Sequence, residues 1–236
     1  MFDVTTLDFE YSPRMAPEEP ALERGNSRLM IVNRDSRSIL HAMYSDLPEL
    51  LKGETVYLND SRVRNTGTDH IDRRQPIYAS KPGGLAAPTA GLDLTPEILA
   101  RFSPMPRFLT LHPGMASFGK IREGPGDLAE LGPEAYEIPE PPAAGEHVVA
   151  IGTTVVKALE TWVRELVQAG KTDLIIAPGH EFLAVKALVT NLHTPRDPHM
   201  LLTGAFCGLD LLREAYSVAA REGYRFSGFG DAMLIR

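Results

Sequence analysis

The second half of this chain alternates apolar runs of strand length with stretches of helical spacing, and that alternation narrows the folds open to it. "HVVAIG" reads as a strand, and "TTVVKALETWVRELVQAG" reads as a helix ended by Gly170. "TDLIIAPGH" reads as a strand again, while "EFLAVKALVTNLH" fits either type. "DPHMLLTGAFCGLDLLREAYSVAAREG" holds one or two helices, and "YRFSGFGDAMLIR" ends as a strand. Strands alternating with helices predict an α/β layered fold: a largely parallel or mixed sheet with flanking helices.

The first half adds short strands. "RLMIVN" and "SILHAMY" flank the turn "RDS", and "ETVYLND" is an apolar strand ending in two polar side chains. "SDLPELLKG" predicts a short helix begun by Ser45 and closed by Gly53. "TPEILARF" starts a second helix, with Thr95 as N-cap and Pro96 at the first helical position. "RFLTLHPG" is a strand closed by proline and glycine. Residues 123–147, rich in Pro, Gly and Glu, fit a flap or a plain surface excursion. The 236 residues suffice for a single domain.

With 43% hydrophobic and 23% charged residues, the composition is that of a globular protein. No run approaches the roughly 18 apolar residues of a membrane span. The opening residues lack the basic and apolar regions of a signal peptide, so a cytoplasmic location and no membrane partner are expected. The single cysteine, Cys207, excludes an internal disulfide and any multi-cysteine metal cage, and its apolar setting predicts a buried thiol. A net charge of −7 weighs against a chain that lives by gripping phosphate backbones. A local basic stretch exists at 61–81, where Arg62, Arg64, Arg73, Arg74 and Lys81 face only Asp69 and Asp72.

Ligands of open α/β sheets collect at the carboxyl ends of strands, and several predicted ends carry polar groups that packing does not require. These are Asn59 and Asp60, His112, the Gly152-Thr153-Thr154 turn, His180, and Asn191 with His193. The Gly-Thr-Thr turn offers helix N–H groups and two hydroxyls to an anion or a sugar, or simple capping. Histidines at strand ends serve as acids or bases, or as hydrogen-bonded structural groups. Glu-x-x-His and His-Glu-x-x-His spacings are missing and two prolines separate His193 from His199, so no metal is expected. Gly-x-x-x-x-Gly-Lys, Gly-x-Gly-x-x-Gly and Gly-x-Ser-x-Gly patterns are missing too.

"LDFEYSP", "SRLMIVN", "YLNDSRV", "AAPTAGL", "LTLHPG", "VVAIGTTVVKALET", "TDLIIAPG", "ALVTNLHTP" and "GDAMLI" follow one another in the order found in the S-adenosylmethionine:tRNA ribosyltransferase-isomerase family of queuosine biosynthesis, which the chain resembles from Leu7 to Ile235. The resemblance implies S-adenosylmethionine as a ribosyl donor. Its sulfonium acidifies the ribose 5′ carbon, a positioned base removes a proton there, and methionine and adenine depart. In the family an amine on a 7-deazaguanine base of tRNA receives the ribosyl unit, which rearranges to an epoxy-cyclopentane.

This chain departs from the family pattern at several points. Only residues 64–85 stand where the family carries an inserted β-barrel. Asp93 replaces a histidine and His180 a tyrosine. Ala129 and Gly132 replace two histidines beside the retained Glu134 and Tyr136, while His112, Gly114 and Phe118 are kept. These departures predict a small-molecule acceptor, or none, and no tRNA partner. The alternatives are the family reaction on tRNA with a compensating partner, and a non-catalytic nucleoside-binding protein. His112, His180 and Asp93 are the expected catalytic residues. The expected substrate-binding residues are Asn59, Asp60, Thr89, Gly114, Gly152, Thr153, Thr154, Asn191, His193 and Asp231. The segment "AAPTAGLDLTPEI" would form a pocket wall whose small residues let backbone approach a ligand.

Overall fold

The computed structural model describes residues 3–64, 73–115 and 119–236; Asp69, Asp72, Phe118 and the side chain of Ala129 lie outside them. The expected α/β fold is present as a nine-stranded mixed sheet with flanking helices. Its strands are β1 (Arg28–Val32), β2 (Ile39–Met43), β3 (Thr55–Asn59), β6 (Arg107–Leu111), β7 (Glu134–Glu137), β8 (Val148–Ile151), β9 (Ala169–Thr172), β10 (Val185–Asn191) and β11 (Ala232–Ile235). Their spatial order is β2-β1-β11-β10-β8-β3-β6-β7-β9. β10, β8, β3 and β6 run parallel, so their carboxyl ends share one edge. β11 runs antiparallel to β10 and parallel to β1, which brings its amino end to that same edge. A separate parallel pair, β4 (Ser61–Val63) with β5 (Lys81–Gly84), leaves and rejoins the chain beside the end of β3.

Central strands are buried on both faces, and the two-residue period of a strand divides their side chains between two cores. Tyr57, Leu109, Val148, Ala150, Leu188, Met233 and Ile235 face one core. Helices α3 (Thr153–Glu165), α4 (Pro198–Cys207) and α5 (Leu209–Arg221) close that side. Val56, Leu58, Val149, Ile151, Val189 and Leu234 face the other, under the short helices α1 (Leu47–Leu50) and α2 (Pro96–Leu99). Thr95 caps α2 as predicted, accepting the Ile98 N–H at 3.2 Å. No helix among the described residues is long and apolar enough to cross a membrane.

Two local expectations change, and one left open is settled. Residues 174–180 form no strand: the Thr172 hydroxyl accepts the Leu174 N–H at 3.1 Å and draws the chain off the sheet edge. Ile176 is buried there in the core closed by α3, with Leu174 half-buried against it. α3 stops at Glu165 because Leu166 is left-handed (φ 56°), so Gly170 falls inside β9 and does not end the helix. Of the one or two helices expected from Asp197 onward there are two, broken at Gly208 (φ 84°).

Candidate functional site

The shared carboxyl edge opens into a cavity of about 420 Å³. Residues 85–90 form one wall, 152–154 and 190–191 the floor, and 227–229 the side towards β11, with Arg74, Gln75, His193, Asp197 and His199 completing the lining. A smaller cavity of about 90 Å³ adjoins it and shares Thr153, Thr154 and His199.

Asn59, fully buried at the end of β3, organises the floor. Its amide donates to the Leu111 carbonyl (2.8 Å) and the Thr154 hydroxyl (2.9 Å). Its carbonyl accepts the N–H groups of Ser61 and Leu111, each at 3.0 Å. Two strands and the first turn of α3 are thereby tied together. Gly152 holds φ 109°, a conformation side-chain-bearing residues avoid, and its N–H donates to the Val189 carbonyl. No side chain caps α3, whose N-terminus reaches the cavity through Thr153 and Thr154. Across the floor the Thr89 hydroxyl donates to Asn191 Oδ1 at 3.0 Å. Gly228 packs so closely that a Cβ there would lie 2.9 Å from Thr89 Oγ1.

Sequence reasoning missed Asp197 and His199, which join the expected His193 in a cluster lining the cavity. Asp197 is the N-cap of α4 and accepts both the His199 N–H (2.9 Å) and His199 Nδ1 (2.7 Å). The His193 ring stacks on His199 with centroids 5.0 Å apart, and its Nε2 pairs with the Thr190 hydroxyl at 2.9 Å. Burial drives His193 down to about 3, so this ring is neutral at any ordinary pH. Burial also disfavours charge on His199, but Asp197 outweighs it and raises the His199 pKa above the usual imidazole value. Burial opposes ionisation of Asp197 as well, yet its histidine partners hold its carboxyl well below the usual carboxylate range. The available signal was Asp-Pro-His itself: an N-cap, a proline at the first helical position, and a histidine within reach of the cap.

The structure brings Thr89, Gly152, Thr153, Thr154, Asn191 and His193 to the cavity lining, with Asn59 directly beneath. Other expected residues stand elsewhere. His180 lies at the far end of α3, where Nε2 is 3.5 Å from the buried Glu160 carboxylate and beside Arg164. With no strand at 174–180, nothing carries it to the carboxyl edge. Asp93 accepts the Gly25 N–H at 3.0 Å and is not part of the cavity lining. His112 turns its ring onto Gly83, where a Cβ would lie 2.6 Å away, and bonds Ser61 through Nδ1 at 2.9 Å. Asp60 accepts the Thr110 hydroxyl, and the Gly114 N–H donates to Glu134, each at 2.6 Å. Asp231, buried under the cavity's side, accepts the Arg28 N–H and, from Arg225, both the backbone N–H and the guanidinium. It braces the 227–229 turn.

A profile of the family described as "Queuosine biosynthesis protein" matches residues 4–68 and 64–235. The chain belongs to this family. The S-adenosylmethionine:tRNA ribosyltransferase-isomerase of Rubrobacter xylanophilus is 44% identical over 97% of this chain and 96% of its own length. The Thermus thermophilus enzyme of that name is 46% identical over 70% of this chain, and the match spans about half (52%) of that relative. The crystal structure of the S-adenosylmethionine tRNA ribosyltransferase from Thermotoga maritima superposes with a TM-score of 0.73 at 28% identity, covering 98% of this chain and 100% of the other. These relatives correct the expectation that set tRNA aside. Proteins matching nearly the whole queuosine-family chain are named for tRNA, and an acidic net charge does not outweigh that.

Proposed function

We propose that this chain is a ribosyltransferase-isomerase that uses S-adenosylmethionine as substrate and tRNA as acceptor, as its relatives are named. The observation that carries this reading is the cavity. Its walls come from "AAPTA", "GTT" and "TNLH", the segments through which the sequence resembles the family, and they converge at the carboxyl edge of the sheet. Its volume of about 420 Å³ falls in the range of cofactor and nucleoside pockets. The uncapped N-terminus of α3, with the Thr153 and Thr154 hydroxyls, suits the methionine carboxylate. Thr89 and Asn191 suit the ribose hydroxyls, and the small residues 86–90 allow close approach by the adenine ring. Residues 64–85 stand in place of an inserted barrel, leaving the chain to act as one α/β unit. The reaction belongs in the cytoplasm, where both substrates occur.

The test is incubation with S-adenosylmethionine and a tRNA bearing a 7-aminomethyl-7-deazaguanine base, with chromatography of released adenine and methionine. Release that requires this tRNA is expected. Binding of S-adenosylmethionine without release, or release driven equally well by small free amines, would overturn the reading.

A further inference from the structure

We propose that His199, oriented by Asp197, is the proton acceptor of this cavity and takes a proton from the ribose 5′ carbon of the bound sulfonium nucleoside. The inference rests on the functional reading above and adds to it the group that performs the step. Asp197 is fixed as the N-cap of α4 and holds Nδ1 of His199, which sets the tautomer and leaves Nε2 as the nitrogen open to a ligand. Among the described residues Nε2 has no hydrogen-bond partner, and His199 lines both cavities at their junction. A histidine held by a carboxylate is the arrangement that makes an imidazole a stronger, directed base.

In the step, the C5′–H bond breaks, the proton passes to Nε2, and the electron pair remains on C5′ beside the positive sulfur. No other bond changes and no co-reactant is consumed. The resulting imidazolium is stabilised by Asp197 in contact and Glu134 from β7, and opposed by Lys157 from α3. His193, at the end of β10, contributes a neutral ring stacked beneath. The three side chains bring potential ligand atoms within 4.8 Å of one another. Thr190 engages His193 Nε2, and Asp197 engages His199 Nδ1, so each ring keeps its other nitrogen.

The experiment follows deuterium entering C5′ of S-adenosylmethionine in D2O by NMR, without tRNA, alongside calorimetric binding. Wild-type protein should exchange this position. H199Q should slow exchange by about 100-fold or more while binding S-adenosylmethionine within about threefold of wild type. D197N should move the acid limb of the rate profile to lower pH, because it removes the group that raises the His199 pKa. Free imidazole should partly restore exchange in His199→Gly, and the His199 ring signals of the wild type should titrate to a lower midpoint once the cationic ligand is bound. Exchange by H199Q at the wild-type rate, or a His199 midpoint unmoved by ligand, overturns the proposal alone. A wild-type protein that does not bind S-adenosylmethionine overturns the functional reading, and the proposal with it. Stoichiometric zinc whose removal abolishes exchange replaces the base with a metal site and also overturns it.

Discussion

Replacing Asn59 tests how the sheet edge holds the site. Asn59→Ala strips the partner from two buried backbone donors, the N–H groups of Ser61 and Leu111. Leaving a buried donor unsatisfied costs about 1–3 kcal/mol, so the variant should lose about 4 kcal/mol of stability. For a chain of this size that corresponds to a fall in Tm of about 8–16 °C. Asn59→Asp is more discriminating. A carboxylate keeps the acceptor face towards Ser61 and Leu111 but sets a second oxygen 2.8 Å from the Leu111 carbonyl, where the amide now donates. Only the protonated acid can donate there, so its folded pKa must rise above the unfolded value of about 3.9.

The sign follows from linkage. Below the unfolded pKa both states are protonated and the variant is at its most stable relative to wild type. As pH rises from there to the raised folded pKa, it loses up to about 1.4 kcal/mol per unit. Urea titrations of Asn59→Asp and wild type from pH 3.5 to 8 should therefore diverge as pH increases. Parallel curves, or an Asn59→Ala variant within about 1 kcal/mol of wild type, would refute the role given to this side chain.

Three further outcomes are expected. Glu160 is fully buried and accepts the N–H groups of Leu183, Ala184 and Val185, each at 3.0 Å; Glu160→Ala should cost about 3–6 kcal/mol in urea unfolding. Burial works against its charge, but these amides and Arg164 depress its pKa, so its stabilisation is present above about pH 4.3 and lost as pH falls through the folded value. Gly228→Ala should push Thr89 off Asn191 and weaken S-adenosylmethionine binding about 3–10-fold by calorimetry, with little change in Tm. The Cys207 thiol, pushed up to about 12 by burial and donating to the Thr203 carbonyl at 3.2 Å, should resist maleimide at pH 8 and react at once in urea.

Two strands that position the floor were legible because their signals are local: apolar runs ended by Asn59 and by Gly-Thr-Thr. β10 was left open, because its run fits helix and strand alike. β7 and β9 were not legible. β7 buries Glu134, a residue that reads as exposed, because Lys157 and the Gly114 N–H satisfy it. β9, "AGKT", is an edge strand exposed at three of its four positions and carries no hydrophobic pattern at all. The apolar "LII" beside it misled in the opposite way, since Leu174 and Ile176 join the core closed by α3 without belonging to a sheet. His180 was read from that false strand. The Asp197–His199 pair was not legible because the sequence places both at the start of a helix without showing that the ring turns back onto its cap.

The short stretch after β4 lends Arg74 and Gln75 to the cavity, and its return is pinned to the sheet. The chain departs through β4 and returns through β5, and the two pair in parallel. The carbonyl of Asp60 binds both the Ser80 and the Lys81 N–H groups, at 2.9 and 3.1 Å, so the return is tied directly to the end of β3. Residues 85–90 then run on into the cavity wall. Added length between the pinned ends costs little closure entropy, so residues 85–90 can hold their place whatever that length. The alignment with the Rubrobacter relative extends over 325 residues, although this chain has 236. A difference in length at such a point can alter how a macromolecular acceptor is gripped while leaving the cavity, and the base proposed beside it, in place.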